Sequence, residues 1–299
     1  MSRILITGAD SFTGRRLSAT LHEAGHEIHG LVREPIGNTV ANVHELHVAD
    51  LADTAALNMI VRHVRPQKVA HLAAISFVAH DDVAAIYATN VVGTRNLLQA
   101  LAQSKVLLES VLLVSSANIY GNTRGGMLNE TTAPAPANDY AVSKLAMEYV
   151  AHLYATRLPI VITRPFNYTG VGQADSFLIP KIISHARRHA PYIELGNLDV
   201  ARDFSDVRTV VQLYQRLLDT PAAVGQTFNV CSGKAWTLSE VLAMVQQLSG
   251  HCLDVRVNPA FVRANEVQTL LGSRAKLDAA VGVAPELTLQ DTLRWMLQQ

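Results

Sequence analysis

Arg3-Ile-Leu-Ile-Thr7-Gly8-Ala-Asp-Ser11-Phe12-Thr13-Gly14 is the stretch whose reading decides the fold. Arg3 to Thr7 is a short apolar run of the kind that forms a buried strand. Glycines at both ends of the next seven residues let the backbone turn sharply and open a helix toward Ala24. That arrangement brings the unpaired N–H groups and positive dipole of a helix N-terminus against an anion such as a pyrophosphate. Gly8, Ser11, Phe12, Thr13 and Gly14 are therefore candidate ligands of a dinucleotide. A plain strand-to-helix turn would use the same residues, so the surroundings must decide.

Outward from this turn the pattern repeats. Strands at Glu27 to Val32, Val43 to Val48, Lys68 to Leu72, Ser110 to Ser115 and Ile160 to Arg164 alternate with helices at Thr54 to Val64, Ile86 to Gln103 and Tyr140 to Arg157. Such alternation means parallel strands joined by right-handed crossovers, a doubly wound α/β sheet. Pro165 lacks an N–H and ends the last of these strands. Beyond about Gly170 the alternation loosens into a smaller, mixed lobe. Thr209 to Leu218 and Thr227 to Cys231 read as a helix and strand returning to the first sheet. Phe177 to Arg188, Thr237 to Gly250 and the final helix build the second lobe, with a capping box at Thr237 and Glu240. The expected division is 1–169, with 207–231 returning to it, and 170–299.

Composition excludes several classes. The chain has 299 residues, 49% hydrophobic, enough for a large core. Its 25 Lys and Arg balance 25 Asp and Glu, so no global field gathers nucleic acid or an anionic membrane. No apolar run reaches membrane-spanning length and no signal peptide is legible, which makes the cytoplasm the expected location. Two cysteines, Cys231 and Cys252, read as part-buried reduced thiols. His22, His26 and His29 have a loosely metal-like spacing, but Gly25 breaks the helix between them and no carboxylate or cysteine clusters with them in sequence. No metal is expected.

Tyr140-Ala-Val-Ser-Lys144 places a phenol and an ammonium on one helix face. A unit charge about 4 Å away at an effective dielectric of about 20 is worth roughly 4 kcal/mol, or about 3 pKa units. The pair therefore predicts a phenol brought down from about 10 toward neutral pH, suited to general acid–base work. Ser116, at the end of a strand, could hold a carbonyl oxygen within reach of the same proton.

With the glycine turn, these residues resemble the extended short-chain dehydrogenase/reductase family of nucleotide-sugar epimerases, dehydratases and reductases. The resemblance runs nearly the whole length and implies a Rossmann-type fold with Ser116, Tyr140 and Lys144 as the catalytic triad. Its usual turn is Thr-Gly-x-x-Gly-x-x-Gly, and Ser11 stands where the middle glycine would be. The resemblance also implies that Asp50 and Leu51 meet the adenine, that Leu72, Ala73 and Ala74 line the dinucleotide groove, that Asn90 belongs to the cofactor site, and that Ser76 and Asn167 face the sugar. At the end of the second strand, Val32-Arg33 offers a cation and no carboxylate. This favours the 2′-phosphate of NADPH, with NADH open because Glu34 follows.

The segments around Arg202 and around Arg263 and Glu266 resemble those of the bacterial GDP-6-deoxy-D-mannose reductases, though Ala264 stands where their motif has proline. Arg202 and Arg263 are implied as diphosphate ligands and Glu266 as a ribose or base ligand. The implied reaction is NAD(P)H-dependent reduction of C4 of GDP-4-dehydro-6-deoxy-D-mannose to GDP-D-rhamnose. Alternatives are a C4 epimerase, a 4,6-dehydratase, or a dinucleotide-sensing regulatory protein. The family also implies a homodimer, paired through the helices at Ile86 to Gln103 and Tyr140 to Arg157. Ile86, Val91, Leu97, Leu98, Leu101, Leu145, Met147, Val150, Leu153 and Tyr154 make those helices apolar over a wide arc.

Overall fold

The computed structural model describes residues 1–35, 37, 40–76, 82–121, 126–261, 267–285 and 287–299. The chain begins with β1 (Arg3–Thr7), α1 (Phe12–Glu23), β2 (Glu27–Val32), β3 (Glu45–Val48), α2 (Thr54–Val64) and β4 (Lys68–His71). Then come α3 (Val83–Tyr87), a π-helical turn (Ala88–Gly93), α4 (Thr94–Gln103), β5 (Ser110–Val114), a 3-10 turn (Ala117–Tyr120), α5 (Asp139–His152) and β6 (Ile160–Pro165). The remainder comprises β7 (Asn167–Thr169), α6 (Leu178–Arg187), β8 (Tyr192–Leu195), β9 (Ala201–Asp206), α7 (Val207–Leu218), β10 (Thr227–Val230), β11 (Ala235–Thr237), α8 (Leu238–Ser249), β12 (Asp254–Val257), β13 (Thr269–Leu270), α9 (Ala275–Val281) and α10 (Leu289–Leu297).

Seven parallel strands form the main sheet in the order β10-β6-β5-β4-β1-β2-β3. Strand order reverses at β1, which lies between β2 and β4. This opens the crevice at the carboxyl ends where α/β sheets of this kind take their ligands. The strand period of two sorts the core onto two faces. Ile4, Ile6 and Ile28 pack with Leu17 and Leu21 of α1 and with Val210, Tyr214 and Leu217 of α7. Leu5, Leu31, Val69 and Leu113 pack with α2, α4 and α5 through Leu57, Leu97 and Met147.

Beyond β6 the chain leaves this sheet: β7 pairs β9, which also pairs β11 and β13, while β8 pairs β12. Ile182 of α6, Val241 of α8 and Leu293 of α10 close a separate apolar cluster against Ile193 and Phe204. The capping box at Thr237 and Glu240 is formed in both directions.

Some boundaries differ from the expected ones for local reasons. The rod expected from Ile86 starts earlier, because the Asp82 side chain caps it by accepting the Ala85 N–H. The helix expected to reach Arg157 ends at His152, where Leu153, Tyr154 and Ala155 donate to carbonyls three residues back and tighten the winding out of the α-helical pattern. β3 starts at Glu45 rather than Val43. Cys231 is buried and Cys252 is exposed, both as free thiols. Among the described residues no helix is long and apolar enough to cross a membrane.

Candidate active site

The exit of β1 meets the exit of β4 at closest packing. Gly8 has φ +67°, and a Cβ there would stand 3.0 Å from Cα and N of Ala73. A Cβ on Gly14 would stand 2.1 Å from the Gly8 carbonyl oxygen. Side chains at these two positions would collide with the protein's own backbone, so the glycines let β1, the start of α1 and the exit of β4 pack tightly and set the α1 N-terminus at the turn, where it suits a diphosphate. Ser11 needs no such freedom, having φ −69° and ψ 165°, and its Oγ accepts the Gly14 N–H at 3.0 Å. The serine in place of glycine is thus the N-cap of α1, spending one first-turn donor within the protein. Thr13 Oγ1 lies 2.9 Å from the Tyr168 hydroxyl, and Phe12 stacks on the same ring.

At the end of β2, Val32 is buried and Arg33 is exposed, pairing with Glu34 at 3.1 Å. Asp50 Oδ1 accepts the Ala52 N–H, and Leu51 is buried against Gly93 of the π-helical turn. Leu72, Ala73 and Ala74, half-buried, continue from β4.

Asn90 sits in the π-helical turn, where the wider winding re-aims its side chain. Its Oδ1 accepts the Ile75 N–H at 2.9 Å, and its Nδ2 donates to Ile75 O and Ser143 Oγ, each at 3.0 Å. The amide therefore braces the chain leaving β4 against α5. Beside it runs an ordered chain. Ala73 N–H donates to Thr7 Oγ1, which lies 2.7 Å from His71 Nδ1, and His71 Nε2 lies 2.8 Å from Thr94 Oγ1, which donates to Asn90 O. With Thr94 donating onward and Thr7 receiving from Ala73, His71 carries its hydrogen on Nε2. Burial, reinforced by the Lys144 charge, pushes its pKa down to about 3, so the ring is neutral.

Ser116 caps the 3-10 turn that follows β5, accepting the Asn118 N–H at 3.1 Å, and its hydroxyl stands near enough to the Tyr140 phenol to draw that pKa down. Tyr140 and Lys144 lie one turn apart on α5, whose start is fixed by Asn138 accepting the Ala141 N–H. All three are buried. Burial pushes the Tyr140 phenol up to about 12, with the Ser116 hydroxyl opposing. This is the reverse of the direction expected from the Tyr/Lys spacing. The Lys144 ammonium donates instead to the Val114 carbonyl at 2.7 Å, and burial brings its own pKa down to about 8, with Glu148 opposing. Glu148 is itself held in a two-pronged buried pair with Arg164, at 3.0 and 2.7 Å.

On the other wall, Asn167 opens β7, and its Nδ2 is buried without a hydrogen-bond partner among the described residues. A buried amide donor left open suits a ligand acceptor. Ser76 is exposed. Arg202 donates to Ala201 O and Gln268 O within the second lobe. Arg263 and Glu266 lie outside the described residues. The Asp203 carboxylate, raised in pKa by burial, fastens β9 to the segment after β10 by accepting from Ser232 and Gly233.

Two site features had no signal in the sequence. Tyr168 links α1 to β7, and Arg164 donates to the Tyr120 hydroxyl, which donates to Asn229 of β10. His22, His26 and His29 do not converge: the His22 ring packs on His44, and His26 Nδ1 accepts the Ser2 N–H.

The reversed strand order, the glycine cradle and the Ser/Tyr/Lys cluster define an extended short-chain dehydrogenase/reductase, the class that works on nucleotide sugars. The chain belongs to the GDP-mannose 4,6 dehydratase family, which it matches over residues 5–296. It is 34% identical over 306 residues to a GDP-6-deoxy-D-mannose reductase of Pseudomonas aeruginosa, covering 99% of this chain and 96% of the relative. A GDP-6-deoxy-D-talose 4-dehydrogenase of Aggregatibacter actinomycetemcomitans is 32% identical over 280 residues, covering 94% and 91%. Among solved structures, a Burkholderia cenocepacia J2315 protein described only provisionally as an epimerase superposes with TM-score 0.93 at 51% identity, covering 99% and 97%. RMD from Pseudomonas aeruginosa complexed with NADPH gives TM-score 0.86 at 32% identity, covering 100% and 98%.

Proposed function

We propose that this chain reduces the C4 keto group of GDP-4-dehydro-6-deoxy-D-mannose, with NADPH as the cofactor and GDP-D-rhamnose as the product. The observation that carries this reading is the convergence of buried Ser116, Tyr140 and Lys144 at the end of β5, with the Lys144 ammonium 2.7 Å from Val114 O. Gly8, Ser11, Phe12, Thr13 and Gly14 would hold reduced nicotinamide dinucleotide, which would supply the hydride for C4. Ser116 Oγ holds the carbonyl oxygen. Tyr140 gives that oxygen its proton as it becomes an alkoxide, which is more basic than the phenolate left behind. With its pKa near 12 the phenol carries that proton across the whole neutral range. Lys144 fastens α5 to the end of β5 and reaches the ribose, and Asn90 positions α5 and the segment after β4.

Arg33 is exposed and able to meet a 2′-phosphate. Asp50 and Leu51 line the adenine end, with Leu72, Ala73 and Ala74 along the groove. Asn167 offers its open amide to the sugar, with Ser76 at the rim. Arg202 and Arg263 meet the diphosphate, and Glu266 meets the ribose or base. Residues 1–169 with 207–231 form the dinucleotide part, supported by β10 lying beside β6, and the rest of 170–299 is mainly the sugar part. The homodimer proposal changes its residues. Ile86, Leu97, Leu98, Leu101, Met147 and Tyr154 are core, whereas Val92, Val142, Tyr149 and Leu153 are exposed apolar groups on the π-helical turn, on α5 and just past its end. Sedimentation as a monomer at micromolar concentration would remove the dimer.

Asn118 stands two residues after Ser116, where the dehydratases resembled here carry a glutamate, and an amide cannot exchange a proton at neutral pH. Incubation with the keto sugar and NADPH should oxidise the cofactor, and NMR of the product fixes C4, separating D-rhamnose from its C4 epimer 6-deoxy-D-talose. Release of a 4-keto sugar from GDP-mannose and NADP⁺ would overturn the reading in favour of a dehydratase.

A further inference from the structure

We infer that His29, Glu45 and His47 form a binding site for one divalent transition-metal ion of the zinc type, on the α2-covered face of β2 and β3. The register of the two strands makes the site. His29 pairs with Glu45 and Leu31 with His47, so the strand period of two puts Glu27, His29, Glu45 and His47 on one face. His29 Nδ1 lies 3.3 Å from His47 Nε2 and 3.5 Å from Glu45 Oε2, and the last two atoms are 3.8 Å apart. Ligand atoms at about 2.0–2.1 Å from a tetrahedral ion stand about 3.3 Å from one another. The three atoms thus span one face of such a tetrahedron after shifts of a few tenths of an ångström.

A second observation points the same way. His29 Nε2 lies 3.0 Å from Glu27 Oε1, and the carboxylate takes the hydrogen of that nitrogen. Nδ1 is left with its lone pair aimed at His47 and Glu45. Metal-bound histidines are oriented by this kind of carboxylate contact. His63 Nε2 lies 3.0 Å from Glu45 Oε2 and holds that carboxylate from the solvent side. His29 and His47 are largely buried while Glu45 is half exposed, so an ion has a route in and a fourth position open to water. Two imidazoles and one carboxylate suit zinc, and magnesium or calcium would call for oxygen ligands throughout. The ion would tie β3, which has a single strand neighbour among the described residues, to β2 just before Val32 and Arg33. Its role is to hold the edge of the sheet, since β5 and the Ser116 cluster lie three strands away.

The test uses full-length, untagged, chelator-treated protein, titrated with Zn²⁺ by calorimetry and with Co²⁺ by visible absorption. One saturating equivalent is expected, with the strong visible bands of four-coordinate Co²⁺ and a rise in Tm on adding Zn²⁺. His47→Ala and Glu45→Gln should each weaken binding by about tenfold or more. His189→Ala, at a histidine pair elsewhere on the surface, should leave it unchanged. Glu45 is exposed enough for Glu45→Gln to fold, which keeps the test decisive if a histidine variant does not. Absence of a saturating equivalent, or equal affinity in wild type and Glu45→Gln, would overturn the site.

Discussion

Lys144 Nζ and Val114 O meet at 2.7 Å, so the helix that carries Tyr140 is fastened by its ammonium to the strand that leads into Ser116. The bond accounts for two things together. It holds Ser116 and Tyr140, which lie on separate elements, within reach of each other, and it turns the positive charge toward a carbonyl rather than leaving it to the phenol. Desolvation then governs the phenol and keeps its proton on.

Tyr140→Phe removes that proton and little else. Turnover should fall by about 10²–10⁴-fold, the usual contribution of a positioned acid, while NADPH binding stays nearly unchanged. Retention of more than about a tenth of wild-type activity would mean that another group supplies the proton.

Lys144 gives a pH dependence of definite sign. Its folded pKa is lowered from 10.5 to about 8, so the ammonium is lost as pH rises through about 8 and kcat/KM should fall there. The unfolded chain holds this proton to higher pH, so between about 8 and 10 the contribution of this site to stability rises with pH. Lys144→Met should weaken both turnover and NADPH binding, and should lose the activity limb near pH 8. A limb that persists in the variant would assign it to another group.

Gly14→Ala places a methyl where the Gly8 carbonyl already stands, 2.1 Å away. Destabilisation of about 1–3 kcal/mol or more is expected, together with loss of cofactor binding, read by melting and by NADPH fluorescence titration. Ser11→Gly should cost only a few tenths of a kcal/mol and spare binding, because glycine is itself a fair N-cap.

Arg33→Ala should weaken NADPH far more than NADH. A 2′-phosphate loses its counter-charge, whereas a 2′-hydroxyl loses little. Equal effects on the two cofactors would place Arg33 among the ordinary surface charges.

Alternation of apolar strands and helices was enough to read the main sheet, with the strand from Thr227 beside β6, because burial on both faces writes itself into every strand of a parallel sheet. Motif spacing brought Ser116, Tyr140 and Lys144 forward for the same local reason. The rise in the Tyr140 pKa was not legible, since it depends on how completely α5 packs over the end of β5. Nor was the π-helical turn, in which Asn90 spends its amide on Ile75 and Ser143. His29 shows the limit most directly. In sequence its neighbours are His22 and His26, but strand pairing gives it Glu45 and His47. Periodicity shows which face a residue takes and leaves open which distant strand lies beside it.

The chain enters the main sheet twice, through β1 to β6 and again at β10, with α7 covering one face in between. Residues 1–169 therefore do not make a severable piece. Cut there, β6 would become an open edge, and the apolar groups now under Val210, Tyr214 and Leu217 would face water. The chain between β6 and β10 is held at both ends by the main sheet, so a single melting transition is the expected outcome in calorimetry. A ligand gripping the glycine turn alone should then raise the melting temperature of residues beyond Gly170 as much as that of the sheet.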